Sequence, residues 1–312
     1  MSHKLIGIGE LLIDFFGETK TTFIANPGGA PANVAVAVSR LGGSSMVLTK
    51  VGEDAFGSFL IDTLSSYHVN TDYIRRTEKA NTALAFVTLD KNGERKFFFY
   101  RSPSADMLLS PEEIPAEVFK KDDILHFCSV DLVDYPVRKA HVQALKYAAE
   151  NGTIISFDPN LRYNLWNSKE DLLKTVNMFI DYADIVKVSS EELIDLTGET
   201  NRLLAAKKIL RGRVKLVIVT LGKDGAEAYT FTGLDIFSAG VEVAKVVDTT
   251  GAGDTFIGAF IFRILSGKQG LSRILTDGAL LKEYLDYANK AASFCVRSKG
   301  AMTSMPDKKD ME

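Results

Sequence analysis

Cysteine and histidine are scarce in this chain, with two and four copies among 312 residues. Cys128 and Cys295 give no disulfide framework, and the scattered histidines give no metal-ligand spacing. Neither charge sign dominates: the net charge is -3, which leaves no electrostatic footprint for nucleic acid. No uncharged apolar run approaches the roughly 18 residues of a membrane span. Glu10 and Asp14 interrupt the apolar N-terminal stretch, so it does not read as a signal peptide. Asn151-Gly152-Thr153 fits a glycosylation sequon, but a helix-to-strand turn in a cytosolic protein explains it better. The expected setting is a reducing cytosol. No Gly-Lys-Ser/Thr triplet is present, which excludes a Walker P-loop.

What is present is an ordinary globular balance, 46% apolar and 25% charged, with ample material for a large core. Short apolar runs alternate with helix-period segments. Leu5–Gly9, Ser45–Val51, Asp123–Phe127, Thr153–Asp158, Ile185–Val188 and Lys215–Thr220 read as buried strands. Pro31–Leu41, Ala55–Tyr67, Pro136–Glu150, Lys169–Tyr182 and Arg202–Arg211 read as helices. Such alternation predicts an α/β fold with a mostly parallel sheet covered on both faces, and ligands beyond the carboxyl ends of its strands. Two regions break the rhythm. Leu11–Phe16 follows the first strand with no helix between, and Thr82–Arg101 reads as two strands around an Asn92-Gly93 turn. They predict a small inserted β lid built from about 11–25 and 82–104, within one domain spanning 1–312. The charged tail, 306–312, is expected to fray.

Two stretches carry the chemistry. In "KVVDTTGAGDTFIGAF" two glycines and an alanine lead into Asp254, and an apolar helical run follows at once. Phe256 stands where a dinucleotide fingerprint needs its third glycine. Helix capping alone accounts for an isolated Gly-x-Gly-Asp. In "NPGGAPANVAVAVSRLGG", Pro31 suits a first helical turn, Gly42-Gly43 its end, and Val34, Val38 and Leu41 its buried stripe. Gly28 and Gly29 would let a ligand touch the backbone, and Asn33 would face a polyhydroxylated ligand, although taken alone a purely structural helix start fits better. Asp14, among Leu12, Ile13, Phe15 and Phe16, is either an outward-facing residue or an acceptor for sugar hydroxyls.

Together and in this order, these stretches resemble the two signatures of the ribokinase-like (PfkB-type) sugar kinases, and the likeness covers nearly the whole chain. "TALAFVTLDKNGERKFFFYRSPSADMLL", "FDPNLR", "VKVSSEE" and "VTLGKDGAEAY" resemble the fructokinase branch in particular. The resemblance implies a three-layer α/β/α kinase that moves a phosphoryl group from ATP, with Mg²⁺, to a sugar hydroxyl. Catalysis of that transfer is mostly positioning and electrostatics. Gly251, Ala252 and Gly253 would form an anion hole at a helix N-terminus, and Asp254 would take the hydroxyl proton. Asp14, Gly28, Gly29 and Asn33 match the family's sugar contacts. Arg101 and Arg162 are candidates for sugar or phosphate oxygens. Phe97 and Phe99 on one lid face, or Phe98 and Tyr100 on the other, would cover the sugar. Thr220, Gly222 and Gly225 match the nucleotide loop, and Asn289 would reach the adenine edge.

The chain departs from the family at one motif. Where many members carry Asn-x-x-Glu beside the metal, it has Ser189-Ser190-Glu191-Glu192, so Ser189 and Glu192 would have to organise Mg²⁺. Asp248, Thr250, Gly300 and Ser304 stand where relatives hold a monovalent cation, K⁺. The expectation is a cytosolic fructokinase forming fructose 6-phosphate and ADP, a homodimer through its lids. Kinases for 2-keto-3-deoxygluconate, ribose, tagatose-type sugars or a riboside share the chemistry, and a non-catalytic sugar sensor shares the fold.

Overall fold

The computed structural model describes residues 3–19, 21–89, 95–267 and 270–312, without the side chains of 89 and 95–97. The Asn92-Gly93 turn and the side chain of Phe97 therefore lie outside the described residues. The elements run β1 (Lys4–Ile8), β2 (Leu12–Gly17), β3 (Phe23–Gly28), α1 (Ala30–Arg40), β4 (Ser44–Gly52), α2 (Ala55–Ser66), β5 (Ile74–Thr77), β6 (Ala83–Leu89) and β7 (Arg95–Tyr100). They continue with β8 (Ile124–Cys128), α3 (Pro136–Glu150), β9 (Ile154–Asp158), α4 (Lys169–Ile180), β10 (Ile185–Ser189), α5 (Ser190–Thr197), α6 (Arg202–Ile209), β11 (Leu216–Thr220), β12 (Gly225–Thr230) and β13 (Asp235–Ala239). The last are α7 (Ala252–Ser266), α8 (Gly270–Ile274), α9 (Gly278–Cys295) and α10 (Lys308–Met311).

Nine strands form one sheet in the order β13-β12-β11-β10-β9-β8-β1-β4-β5. All its pairs are parallel except β11–β12 and β12–β13. The strands alternate their apolar side chains between two cores, as strands buried on both faces must. Leu5, Val47 and Ile124 join α1, α7 and α9 on one face, while Ile6, Met46 and Leu125 join α3 and α4 on the other. The strand order reverses about β1, which pairs with β4 on one side and β8 on the other. A crevice opens at the carboxyl end of such a switch point.

A second sheet, β3-β2-β6-β7, is formed by the two segments that break the β–α alternation. It extends past the expected boundary at residue 25, because β3 runs to Gly28 opposite Leu12. Its faces differ sharply. Leu12, Ala83 and Ala85 pack with Phe99 on one side. On the other, Phe86 stacks on Phe15 at 4.9 Å and meets Phe23 and Tyr100 edge-on.

The C-terminal tail does not fray. Asp307 caps α10, Met311 is buried, and Lys290 Nζ donates to the Met311 carbonyl at 2.8 Å. Charged tail residues alternate here with one apolar anchor, which the composition alone disguised. Among the described residues, no helix is long and apolar enough to cross a membrane.

Candidate active site

The first turns of two buried helices meet at the crevice. Gly28 ends β3 and Gly29 precedes α1, and each is glycine for its own reason. A Cβ on Gly28 would come within 2.2 Å of Asp14 Oδ2, so the bare residue makes room for that carboxylate. Gly29 has φ +112°, and its Cβ would meet the Glu10 carbonyl at 2.3 Å. Glu10 also accepts the Ala30 N–H at 2.8 Å, satisfying a donor of the helix start. The chain then enters α1 and delivers Asn33 to the cavity.

The second helix, α7, begins at Gly251, which is left-handed at φ 78° and serves as the N-cap. A Cβ there would meet Ala301 Cβ at 2.7 Å, so glycine is required by both backbone and space. Asp254 is therefore not the capping residue that a local reading of the motif allows. It sits three residues into the helix, and its Oδ2 accepts from Asn33 Nδ2 at 2.7 Å. Burial pushes its carboxyl up to about 6, although the Asn33 hydrogen bond pulls the other way.

Gly29, Asn33, Gly251, Gly253 and Asp254 line a cavity of about 320 Å³ together with Asp14, Arg162, Asp158 and Lys187, while Gly28 and Ala252 stand just outside its lining. Burial pushes the Asp14 carboxyl up to about 7, with Arg162 opposing the shift. Arg162 is exposed at the mouth, and Phe99 lines the wall. Lys187 and Asp158 were not among the expected site residues. They form a buried ion pair at 2.9 Å, and a Cβ on Gly253 would come 3.1 Å from Lys187 Nζ. A lone lysine inside the apolar strand "IVKVS" is the signal that would have found it.

Arg101 is not at this cavity. It is buried between Asp106, at 2.5 Å, and Asp131, which together hold its guanidinium protonated against the cost of burial. The chain turns inward directly after β7, and three nearby carboxylates (Glu10 is the third) claim the charge before a ligand can.

The other expected residues fall at three places. Ser189 caps α5 and accepts from the Glu192 N–H, while Glu192 accepts from the Ser189 N–H at 2.8 Å and the Leu161 N–H at 2.7 Å. Both carboxylate oxygens thus hold backbone, tying the loop after β9 to the end of β10; the pair does not present itself as a direct metal-ligand set. Thr220 ends β11 and donates to the Val188 carbonyl, and Gly222 is left-handed at φ 60°. Gly225 abuts Ser238, whose carbonyl would lie 2.1 Å from a Cβ. Asn289 is buried rather than exposed, and its amide nitrogen donates to Ser238 and Ala239 at the end of β13.

Beside the α7 start, Asp248 Oδ1 accepts from the Thr250 N–H and hydroxyl at 2.9 and 2.7 Å, and Oδ2 accepts from the Gly300 N–H at 3.1 Å. Ser304 donates to the Gly300 carbonyl at 2.5 Å. The fold brings these four residues together. Among the described residues, no group of three or more His, Cys, Asp or Glu is placed to hold a metal ion.

The pattern of the pfkB family carbohydrate kinases matches residues 2–308. The chain is 42% identical over 318 residues to a probable fructokinase-5 of Arabidopsis thaliana, covering 99% of this chain and 96% of that protein. A fructokinase structure from Xylella fastidiosa with bound ATP is similar at TM-score 0.93 and 34% identity, covering 100% of this chain and 97% of that one. A fructokinase of Vibrio cholerae O395, in a fructose, ADP and calcium ion bound form, is similar at TM-score 0.89 and 35% identity, over 99% and 98% of the two chains.

Proposed function

The chain belongs to the pfkB family of carbohydrate kinases and is an ATP-dependent sugar kinase, and we propose that fructose is its acceptor, phosphorylated on the 6-hydroxyl. The observation that carries the reading is Asp254, desolvated at the mouth of α7 and oriented by Asn33. A carboxyl poised at about 6 is ionised at neutral pH yet basic enough to receive a proton.

The steps follow from the charge. Asp14 and Asn33 hold sugar hydroxyls and set the acceptor oxygen beside Asp254. The γ-phosphoryl group approaches the amides at residues 251–253, where the helix dipole favours negative charge. The acceptor oxygen bonds to phosphorus as the bond to the β-phosphate oxygen breaks, and its proton passes to Asp254. Negative charge gathers on the phosphoryl oxygens, so preorganised donors there lower the barrier most. The small sheet closes the cavity as a lid, with Leu12 and Phe99 excluding water.

Mg²⁺ bound with ATP would supply charge neutralisation on the phosphates. Ser189 and Glu192 support it through water at most, since their own groups are engaged by backbone. The oxygens gathered around Asp248 and the Gly300 carbonyl suit K⁺, which would steady the α7 start. Thr220 and Gly222 lie at the β11 end, where the nucleotide would run, whereas Asn289 braces that wall. Two free buried cysteines fit a reducing compartment. Phe98 and Tyr100, 53% and 67% exposed on the outer lid face, fit a homodimer through the lids.

Among rival sugars, an acid such as 2-keto-3-deoxygluconate would bring a carboxylate into a cavity already holding Asp14 and Asp254. Fructose brings none. The test is ADP release across free sugars, with Asp254→Asn as control. Fructose should turn over fastest. Ribose or ketodeoxygluconate faster by about tenfold would overturn the acceptor, and no sugar above the control would leave a sugar-binding sensor.

A further inference from the structure

Lys187 is a buried cation that lines the cavity, and neither the sugar contacts nor Asp254 account for it. Its ammonium lies 2.9 Å from Asp158 Oδ2 and against bare Gly253 at the start of α7. Both members of the pair are over nine-tenths buried. A buried ion pair is a poor device for stability, because desolvation offsets most of the attraction. Asp158 Oδ1, moreover, is buried without a hydrogen-bond partner, so the pair is not built as a saturated structural bridge. Burial works against the lysine's charge, but Asp158, Glu192 and Asp254 keep it protonated.

We propose that Lys187 is a further catalytic residue, a cation that contacts an oxygen of the transferring phosphoryl group, with Asp158 as the positioning residue that aims it. The inference rests on the kinase reading of the Asp254 cavity. The lysine makes and breaks no covalent bond: the acceptor oxygen bonds to phosphorus, the bond to ADP breaks, the proton goes to Asp254, and Lys187 balances the charge left on the phosphoryl oxygens. Its place fits Gly253, where a Cβ would crowd the ammonium at 3.1 Å. It also fits the neighbouring departure from the family pattern. Ser189, two residues on and on the same face of β10, is occupied in capping α5 and leaves Lys187 as the charged group that β10 offers to the cavity.

Removing the lysine alone would strand a buried carboxylate, so the test uses the neutral pair Lys187→Met with Asp158→Asn. Fructose KM, kcat and the binding of ADP with and without fluoroaluminate, a planar phosphoryl mimic, are measured. Fructose KM should stay within about threefold while kcat falls about 100-fold or more, the cost of losing one preorganised charge donor. The tightening of ADP by fluoroaluminate should be lost. If the neutral pair fails to fold, Lys187→Gln, which keeps a donor to Asp158, is judged by the same measurements. A kcat within about fivefold of wild type, or a loss confined to fructose KM, overturns the role of Lys187. Wild-type enzyme that turns over no sugar would instead sink the kinase reading itself.

Discussion

Asn33 Nδ2 donates to Asp254 Oδ2 across 2.7 Å, joining the first turns of α1 and α7, which lie 221 residues apart in sequence. The bond favours the ionised carboxylate, while burial favours the neutral acid, and the balance leaves Asp254 at about 6. Activity that needs the base ionised is therefore lost as pH falls through about 6. In Asn33→Leu the lowering influence disappears, so the pKa rises. The acidic limb of kcat should move to higher pH by about one unit, with a lower plateau. An unmoved limb would separate Asn33 from the base.

The two neighbouring glycines should fail in different ways. Gly28→Ala puts a methyl 2.2 Å from Asp14 Oδ2, in backbone that alanine tolerates. Displacing that carboxylate should raise fructose KM about tenfold or more, with little change in melting temperature. Gly29→Ala forces alanine to φ +112° against the Glu10 carbonyl, and should cost about 1–3 kcal/mol of stability. Thermal melts and fructose titrations of both variants separate the two effects.

Arg101 and Arg162, alike in sequence, should also diverge. Arg101→Met leaves Asp106 and Asp131 buried without their cation and should destabilise the fold by about 3–5 kcal/mol, read by denaturant unfolding. Arg162→Met, at the exposed cavity mouth, should raise KM for fructose or ATP with an unchanged unfolding midpoint.

If the lids clasp, charge on their outer face should separate them. Phe98→Lys and Tyr100→Lys place ammonium groups amid Phe86, Phe23 and Phe15. Light scattering at micromolar concentration should give twice the chain mass for wild type and the single-chain mass for the variants. A single-chain mass for wild type contradicts the clasp.

The sheet was legible because its strands are buried on both faces and read as continuous apolar runs, so β8, β9, β10 and β11 start or end within a residue or two of expectation. The edge strand β5, Ile-Arg-Arg-Thr, carries no such run and was missed. Local composition drew attention to Asp254, Asp14 and Asn33, since glycine pairs and a lone acid in an apolar strand are unusual, but their roles came only with the family resemblance, because capping and structural readings fit the same residues. The fate of Arg101 was not legible: Asp106 and Asp131 reach it through a turn and a distant loop, and nothing local announces that pairing. Lys187 stands between these cases. The rule that singled out Asp14, a lone charge in an apolar strand, applies equally to it. The burial of Asn289 was hidden for a simpler reason: a helical asparagine says nothing of which face is covered, and here β13 covers it.

The most direct test is a structure of the enzyme with fructose and a non-hydrolysable ATP analogue. The account predicts the fructose 6-hydroxyl oxygen within about 3 Å of an Asp254 carboxylate oxygen, and the γ-phosphate on the amides of residues 251–253. Asp254 turned from the sugar, or a γ-phosphate bound away from that helix start, would contradict it.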